Sequence, residues 1–261
     1  MKVLILAGGR GSRLKHLTKN KPKCLLEFQG KSLLETQLSL YRQVEIDDIV
    51  VIKGHLGHLI DFRDIRYYVE KAIFNMLYAL FFAEPELKGD VIISYGDIIF
   101  EENVLLKLLN SPYDISVIVD MQWKRYFAAR LGDPYADAES LVMDRDNRII
   151  EIGASNPVPE KVQSQYIGLI KLTGKGCEIF REVYHSEKKK YWGKEWIRGK
   201  VFERAYMTDM LQVVINKGFD VYGVPIHNGW LEFDTVDDYE NYLKWEKAGK
   251  LSIFYTSIAK P

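Results

Sequence analysis

The sequence predicts an α/β fold in which a central sheet is flanked by helices. Three observations predict it. Four apolar runs, at residues 3–6, 49–53, 91–95 and 115–119, are strand-length and continuous, as in strands buried on both faces. Helical segments lie between them, and strand–helix–strand order through residue 120 is the signature of right-handed crossovers. Three of the runs end in Gly or Asp, at Gly8-Gly9, Gly96-Asp97 and Asp120. Ligands of such sheets sit beyond the carboxyl ends of the strands. Three polar features therefore fall on the rim where a site belongs.

The elements follow in order. Residues 23–28 read as a short strand or extended segment. Ser32 and Glu35 form a capping box that opens a helix to about residue 44. Residues 54–59 form a loop entering a short helix. Residues 75–87 read as a helix with Met76, Leu77, Leu80 and Phe81 on its apolar face. A short helix spans 103–110. Residues 121–165 hold Trp123, Tyr126, Arg130 and Tyr135, strand candidates at 140–143 and 148–152, and a polar loop at 154–164. Residues 165–171 return to strand character. This stretch reads as an inserted β-rich lobe. A helix runs from 176 to about 184. Residues 187–200 are charged and aromatic and are expected to be a mobile, solvated connection. A helix at 205–217 is closed by Gly218, and a strand follows at 220–226. Residues 230–234 are apolar but carry Glu232 and Asp234. Thr235 caps a last helix through Tyr239 and Tyr242 to Ala248. No internal repeat, low-complexity tract or linker divides the chain.

Composition narrows the function classes. Of the 261 residues, 47% are hydrophobic and 28% charged, ordinary for a soluble globular protein. Lys+Arg and Asp+Glu are 36 each, which argues against a general nucleic-acid binder but leaves room for a local basic pocket. Cys24 and Cys177 lie far apart without metal-ligand spacing, and both read as reduced thiols of a cytoplasmic protein. Met1-Lys2 leads straight into a strand, so no secretory leader is expected. No apolar stretch reaches the ~18 residues that span a bilayer.

The first turn, Gly8-Gly9-Arg10-Gly11-Ser12-Arg13, is the strongest local signal. Its glycines let backbone N–H groups approach an anion. Arg10, Arg13 and Lys23 add charge that complements phosphate. It is not the dinucleotide fingerprint, whose third Gly would fall at Leu14. It is not a Walker loop, because the Gly preceding Gly30-Lys31-Ser32 would fall at Leu25. An ordinary turn with solvated arginines has the same composition.

Two carboxylates extend the signal. Asp97 follows a buried strand and a Gly, and reads as a turn or cap residue or as a Mg²⁺ ligand. Mg²⁺ is held by one or two carboxylates together with substrate phosphates and waters. Asp234 is the candidate for the second carboxylate, and equally a starter for the final helix. Asp144-Arg-Asp146 resembles an Asp-x-Asp metal motif but reads as a hairpin turn. His55 and His58 have helical spacing without a third ligand.

Taken together, Leu6-Ala-Gly-Gly-Arg-Gly-Ser-Arg-Leu14, Lys21-Pro-Lys-Cys-Leu25 and Tyr95-Gly-Asp97 resemble the nucleotidyltransferase (pyrophosphorylase) superfamily. Phe74-Asn-Met-Leu-Tyr-Ala-Leu80, Val119-Asp-Met-Gln-Trp-Lys-Arg-Tyr126, Tyr166-Ile-Gly-Leu169, Ala205-Tyr-Met-Thr-Asp209 and Glu232-Phe-Asp-Thr-Val-Asp-Asp238 are similar to phosphocholine and phosphonate cytidylyltransferases. His16, where Pro is usual, and Ala79, where Ser is common, depart from the pattern.

The resemblance implies one nucleotidyltransferase domain over 1–261, Rossmann-like, with a mixed central sheet. Its nucleotide core would span about 1–120 and 220–250, and its small β-rich acceptor lobe about 121–219. It implies CTP held by Leu6, Ala7, Gly8, Gly9, Gly11, Ser12, Arg13, Lys23, Tyr95 and Gly96. It implies Lys23 and Arg13 as catalytic residues and Mg²⁺ on Asp97 and Asp234. Acceptor recognition would fall to Asn75, Asp120, Trp123, Tyr166, Asp209 and Glu232. If the acceptor is cationic, Asp120 would pair with it and Trp123 would offer a cation–π face. Packing is the other reading of Trp123 and Tyr166. The partners implied are CTP and a small phosphate or phosphonate such as phosphocholine or 2-aminoethylphosphonate, with no nucleic acid and no membrane; a homodimer is open. The rivals are a sugar- or polyol-phosphate nucleotidyltransferase, a non-catalytic nucleotide sensor, and a nucleotide-sugar glycosyltransferase, which would need Asp-x-Asp where this chain has Tyr95-Gly-Asp97.

Overall fold

A computed structural model describes residues 1–69 and 75–256. In chain order, β1 (Lys2–Ala7) is followed by two 3-10 turns, Ser12–Thr18 and Lys23–Leu25, then by β2 (Glu27–Phe28), β3 (Lys31–Ser32) and α1 (Leu33–Gln43). Next come β4 (Ile49–Lys53), β5 (Arg66–Val69), α2 (Met76–Phe82), β6 (Val91–Tyr95), β7 (Ile98–Phe100), α3 (Glu102–Leu109), β8 (Ile115–Asp120) and α4 (Trp123–Leu131). The second half holds β9 (Glu139–Met143), β10 (Ile149–Ser155), β11 (Gln165–Leu172), α5 (Gly174–Tyr191), β12 (Glu195–Ile197), β13 (Lys200–Val201), α6 (Met207–Asn216), β14 (Tyr222–Ile226), β15 (Trp230–Glu232) and α7 (Val236–Lys247).

Seven strands form one mixed sheet in the order β14-β8-β11-β6-β1-β4-β5. β11 runs antiparallel to β6 and β8, and the other pairs are parallel. β1, β6 and β8 therefore end on one rim, where Gly8, Gly96 and Asp120 lie. Every residue of β1 is buried. Val3 and Ile5 face a core with Leu34 and Leu38 of α1, Leu105 of α3 and Tyr242 of α7. Leu4 and Leu6 face the opposite core, with Leu77 and Leu80 of α2, Phe180 of α5 and Met210 of α6. This two-sided burial explains the unbroken apolar runs, each such side chain contributing roughly 1.5–3 kcal/mol. Ser32 and Glu35 make the predicted capping box. Asp144 accepts from the backbone of Asp146 and Arg148, closing the β9–β10 hairpin where that turn was expected.

The middle of the chain departs from the expected lobe. β11 sits inside the central sheet, so residues 165–172 belong to that sheet, while the β9–β10 and β12–β13 hairpins pair outside it. α4 occupies residues that were given no element. α5 runs on to Tyr191, and residues 195–201 form the β12–β13 hairpin rather than a solvated connection. Glu187 is buried, paired with Lys217 and hydrogen-bonded to the Trp196 indole. Around Pro85, the predicted 75–87 helix ends at Phe82 and gives way to a 3-10 turn at Glu84–Glu86. Residues 23–28 hold a 3-10 turn before β2. Among the described residues no helix is long and apolar enough to cross a membrane.

Candidate active site

The site starts where β1 runs out. Gly96 N donates to Leu6 O at 3.0 Å. A Cβ at Gly96 would stand 2.9 Å from Leu6 O, and one at Gly54 would stand 3.0 Å from Gly8 Cα. Neighbouring strand ends close in on the first loop as far as backbone allows. Gly11 takes a left-handed φ of 60°, and its carbonyl accepts from Thr18 Oγ1 at 2.8 Å. This hydrogen bond holds the loop against the 3-10 turns.

Asp97 is fixed by α1. The buried Gln37 donates from Nε2 to Tyr95 O and Ile98 O, at 2.8 and 2.7 Å, clamping the Gly96-Asp97 turn between them. Asp234 arrives from the far end of the chain. β15 pairs with β7, Glu232 opposite Ile98, and Phe233 N donates to Asp97 O at 3.0 Å. Two segments 137 residues apart thus present their carboxylates together.

Lys23 joins them. Its Nζ lies 2.7 Å from Asp97 Oδ2 and 2.5 Å from Asp234 Oδ1. Arg13 Nη2 reaches Asp234 Oδ2 at 2.9 Å from an exposed position. Burial disfavours the Lys23 ammonium, but Asp97 and Asp234 outweigh it and raise its pKa. Burial pushes the Asp234 carboxyl up, and Lys23, Arg13 and Arg130 outweigh it, holding the carboxyl down at about 2. The pair is fully ionised at neutral pH.

Arg130 of α4 was not singled out as a site residue. Its guanidinium, 1% exposed, meets Glu232 at 2.6 Å, Asp238 at 2.6 Å and Asp234 at 3.6 Å. Asp238 accepts in turn from the Asp234 and Thr235 amides, within the predicted cap of α7. The phenol groups of Tyr126 and Tyr242 hold the Glu232 backbone, one accepting from its amide and the other donating to its carbonyl. Burial, with Asp234 and Asp97 nearby, raises the Glu232 carboxyl against the pull of Arg130.

Two cavities share Met76, and Lys23 in the wall of the first is bonded to Asp234 in the wall of the second. The first, about 170 Å³, is lined by Leu6, Ala7, Gly8, Gly9, Lys23 and Cys24, with Asn75, Met76, Ala79, Gly96 and Asp97. The second is larger, about 470 Å³, and takes Arg13, Tyr95, Phe127, Glu139, Tyr166, Thr208, Glu232 and Asp234 into its wall. Gly11 and Ser12 shape the loop without lining either cavity. Arg13 and Tyr95, expected beside the nucleotide, line the second cavity.

Three acceptor expectations need correction. Asn75 is not one of them: it lines the first cavity, caps α2 and donates to Arg204 O. Phe74, which begins the same motif, lies outside the described residues. Asp120 is fully buried, and its oxygens accept from the Gln122 and Asn228 amides and the Trp230 indole, so it organises turns and cannot meet a ligand. Trp123 is buried against Phe127 and Tyr135 and lines neither cavity, which is the packing reading. Asp209 is fully buried, paired with Arg198 and Lys200 at the start of α6. Tyr166 and Glu232 do line the second cavity. Phe127 and Glu139, in that same wall, escaped the sequence reading because no motif holds them, and Thr208 was passed over for Asp209 within the Ala205–Asp209 motif.

The donor set suits a divalent cation. Asp97 Oδ1 is buried without a hydrogen-bond partner, and the two carboxylates stand together on either side of Lys23 Nζ. Among the described residues no three His, Cys, Asp or Glu cluster as metal ligands. Two carboxylates completed by substrate oxygens are the ligand pattern of Mg²⁺. The residues fit such an ion, with Asp97 and Asp234 as its protein ligands.

Residues 3–146 match the MobA-like NTP transferase domain. The CTP:phosphoglutamine cytidylyltransferase of Campylobacter jejuni is 31% identical over 253 residues, covering 92% of this chain and 98% of that protein. The choline-phosphate cytidylyltransferase of Streptococcus pneumoniae is 31% identical over 63% of this chain and 74% of its own length. The solved CTP:phosphocholine cytidylyltransferase of Streptococcus pneumoniae superposes with a TM-score of 0.72 at 22% identity, covering 95% of this chain and 99% of that one, which shows a shared fold. The inositol-1-phosphate CTP transferase of T. maritima does so at 0.69 and 20%, covering 98% and 97%. A Gly-rich loop at the end of a buried strand, a lysine between two aspartates, and a relative aligned nearly end to end make this chain a nucleotidyltransferase of the MobA-like NTP transferase family.

Proposed function

We propose that the protein transfers CMP from CTP to a small phosphate- or phosphonate-bearing acceptor and releases pyrophosphate. The observation that carries this reading is Lys23 Nζ, held between Asp97 of the first cavity and Asp234 of the second. A site that joins two anions needs charge at that junction. CTP as the donor, and a non-sugar phosphate as acceptor, are supported by the names of the relatives aligned over most of their own length.

The acceptor oxygen attacks the α-phosphorus in line. A new P–O bond forms, the bond from the α-phosphorus to the bridging oxygen breaks, and pyrophosphate leaves. Phosphates have a second pKa of ~6, so the attacking oxygen is already largely anionic and no strong general base is needed. The demand is for positioning and charge stabilisation. The loop after β1 receives the nucleotide with backbone N–H groups. Lys23 neutralises the acceptor and the α-phosphate. Arg13, exposed on the rim, meets the departing phosphates. Asp97 and Asp234 are the residues that would hold Mg²⁺, which supplies Lewis-acid charge to the phosphates when bound.

A pyrophosphate-release screen tests the reading. Each of the four NTPs is paired with phosphocholine, 2-aminoethylphosphonate, 2-hydroxyethylphosphonate and glucose-1-phosphate. Release with CTP and a non-sugar acceptor is expected. Release with glucose-1-phosphate instead would move the protein to the sugar-phosphate class. CTP binding without release from any pair would favour a nucleotide sensor.

A further inference from the structure

The second cavity carries charge that the transfer reaction does not use. Four acids line it, Asp137, Glu139, Glu232 and Asp234, against a single cation, Arg13. Glu232 is answered by Arg130, and Asp234 by Lys23 and Arg13. Among the described residues Asp137 and Glu139 have no ion pair. The cations that Glu139 feels, Arg198 and Lys200, are both bound to the buried Asp209, and Arg198 also donates to Ile152 O and Gly153 O. Burial pushes the Glu139 carboxyl up. A cation arriving beside it would relieve that cost.

Two hydroxyls in the same wall are poorly satisfied. Thr208, 4% exposed, lies against the Glu139 carboxylate, and the buried Tyr166 hydroxyl lies against Tyr95, each without a hydrogen bond of regular geometry. Buried polar groups so poorly satisfied are uncommon in folded proteins. Glu139 begins β9, Tyr166 lies in β11 and Thr208 opens α6, so three elements aim polar groups at one space. Phe127 and Trp230 add apolar wall.

Resting on the transfer reading, we propose that the acceptor carries a protonated primary amine at the end remote from its phosphate, and that Glu139 receives it. Lys23 takes the phosphate end. A primary ammonium offers three N–H donors, which suits one carboxylate and two hydroxyls. A quaternary ammonium has no donor and would leave Thr208 and Tyr166 unanswered. A neutral tail would leave Glu139 desolvated without compensation. The acceptor class is therefore an aminoalkyl or amino-acid phosphate.

Equilibrium binding to the full chain, by calorimetry with 2-aminoethyl phosphate, ethyl phosphate and phosphocholine, tests this without requiring turnover. The wild type should bind 2-aminoethyl phosphate about tenfold or more tighter than ethyl phosphate, and tighter than phosphocholine, as a charge-assisted contact in a desolvated wall predicts. Glu139→Gln should bring the amine-to-neutral ratio to within about twofold of unity. Thr208→Val should lower the ratio part of the way, and serves if the Glu139 variant does not fold. Equal binding of amine and neutral probes, tighter binding of phosphocholine, an unmoved ratio in Glu139→Gln, or no binding of any probe would each overturn the proposal. Amine-selective binding with no pyrophosphate release would leave the subsite standing and remove the transfer reading. Turnover without amine selectivity would do the reverse.

Discussion

The two cavities are built in different ways. The first brings three glycines, Gly8, Gly9 and Gly96, from the ends of β1 and β6 against the Lys23 turn and the start of α2. The second is made of side chains delivered by α4, β9, β11, α6 and β15. A triphosphate presents much the same oxygens to every enzyme that binds it, and backbone N–H groups at a strand end answer them. A variable acceptor needs variable side chains. Lys23 belongs to the first cavity by sequence and reaches the second through Asp234. The contrast predicts that variants at the junction damage chemistry, variants behind the second cavity damage structure, and variants in the first damage nucleotide binding.

The largest effect should come from Lys23→Ala. Removing one preorganised electrostatic group from such a site costs about 10²–10³ in kcat. A fall of that order in pyrophosphate release, with the protein still folded by circular dichroism, is expected. Near-normal release would break the assignment of the junction.

The same contrast decides what was legible in the sequence. Gly8, Gly9, Lys23 and Asp97 were readable because the first cavity is local: a strand, its loop and a neighbouring strand end carry the pattern in short motifs. The four buried runs were readable because two-sided burial leaves an unbroken apolar signature. Asp120 misled because a carboxylate at a strand end looks the same whether it faces a ligand or ties two turns together; only its three donors decide. The helix α4 was in principle legible. Trp123, Tyr126, Phe127 and Arg130 stand at i, i+3, i+4 and i+7, all buried, but a charged residue completes the stripe and hides it from a hydrophobic count. Glu139 had no signal, and Thr208 stood in a motif read for its neighbour Asp209, because the proximity of the two is set by the placement of β9 and α6 rather than by spacing.

Arg130 supplies the next test, on the structural side. It is one cation serving Glu232, Asp234 and Asp238 with almost no exposure. Breaking a buried pair by removing one partner costs about 3–5 kcal/mol, because the remaining charges are left uncompensated. Arg130→Met should therefore lower the melting temperature by of order 10 °C. Adding Asp238→Asn should restore part of it. A variant that melts with the wild type would mean that Glu232 and Asp238 are not held as a network. The wall of the second cavity would then not depend on buried charge.

The smallest and sharpest test separates two glycines of the first cavity. A Cβ at Gly96 would press on Leu6 O at 2.9 Å and Ala7 Cα at 3.1 Å, so Gly96→Ala must push β1 and the β6 end apart. Overpacking of this kind costs about 1–3 kcal/mol. A Cβ at Gly9 meets no protein atom within 4 Å, and Gly9 is not in the left-handed region that favours glycine. Gly9→Ala should therefore change the unfolding free energy by no more than about 0.5 kcal/mol, as for a surface substitution. If the open space beside Gly9 is where the nucleotide packs, the same methyl group should still weaken CTP binding, by about tenfold or 1.4 kcal/mol. Denaturant unfolding and CTP titration on the two variants read these quantities separately. Stability and affinity lost together at Gly96, but affinity alone at Gly9, is the pattern of a backbone-lined nucleotide cavity. Full CTP affinity in Gly9→Ala would place the nucleotide elsewhere and leave the loop after β1 as a turn.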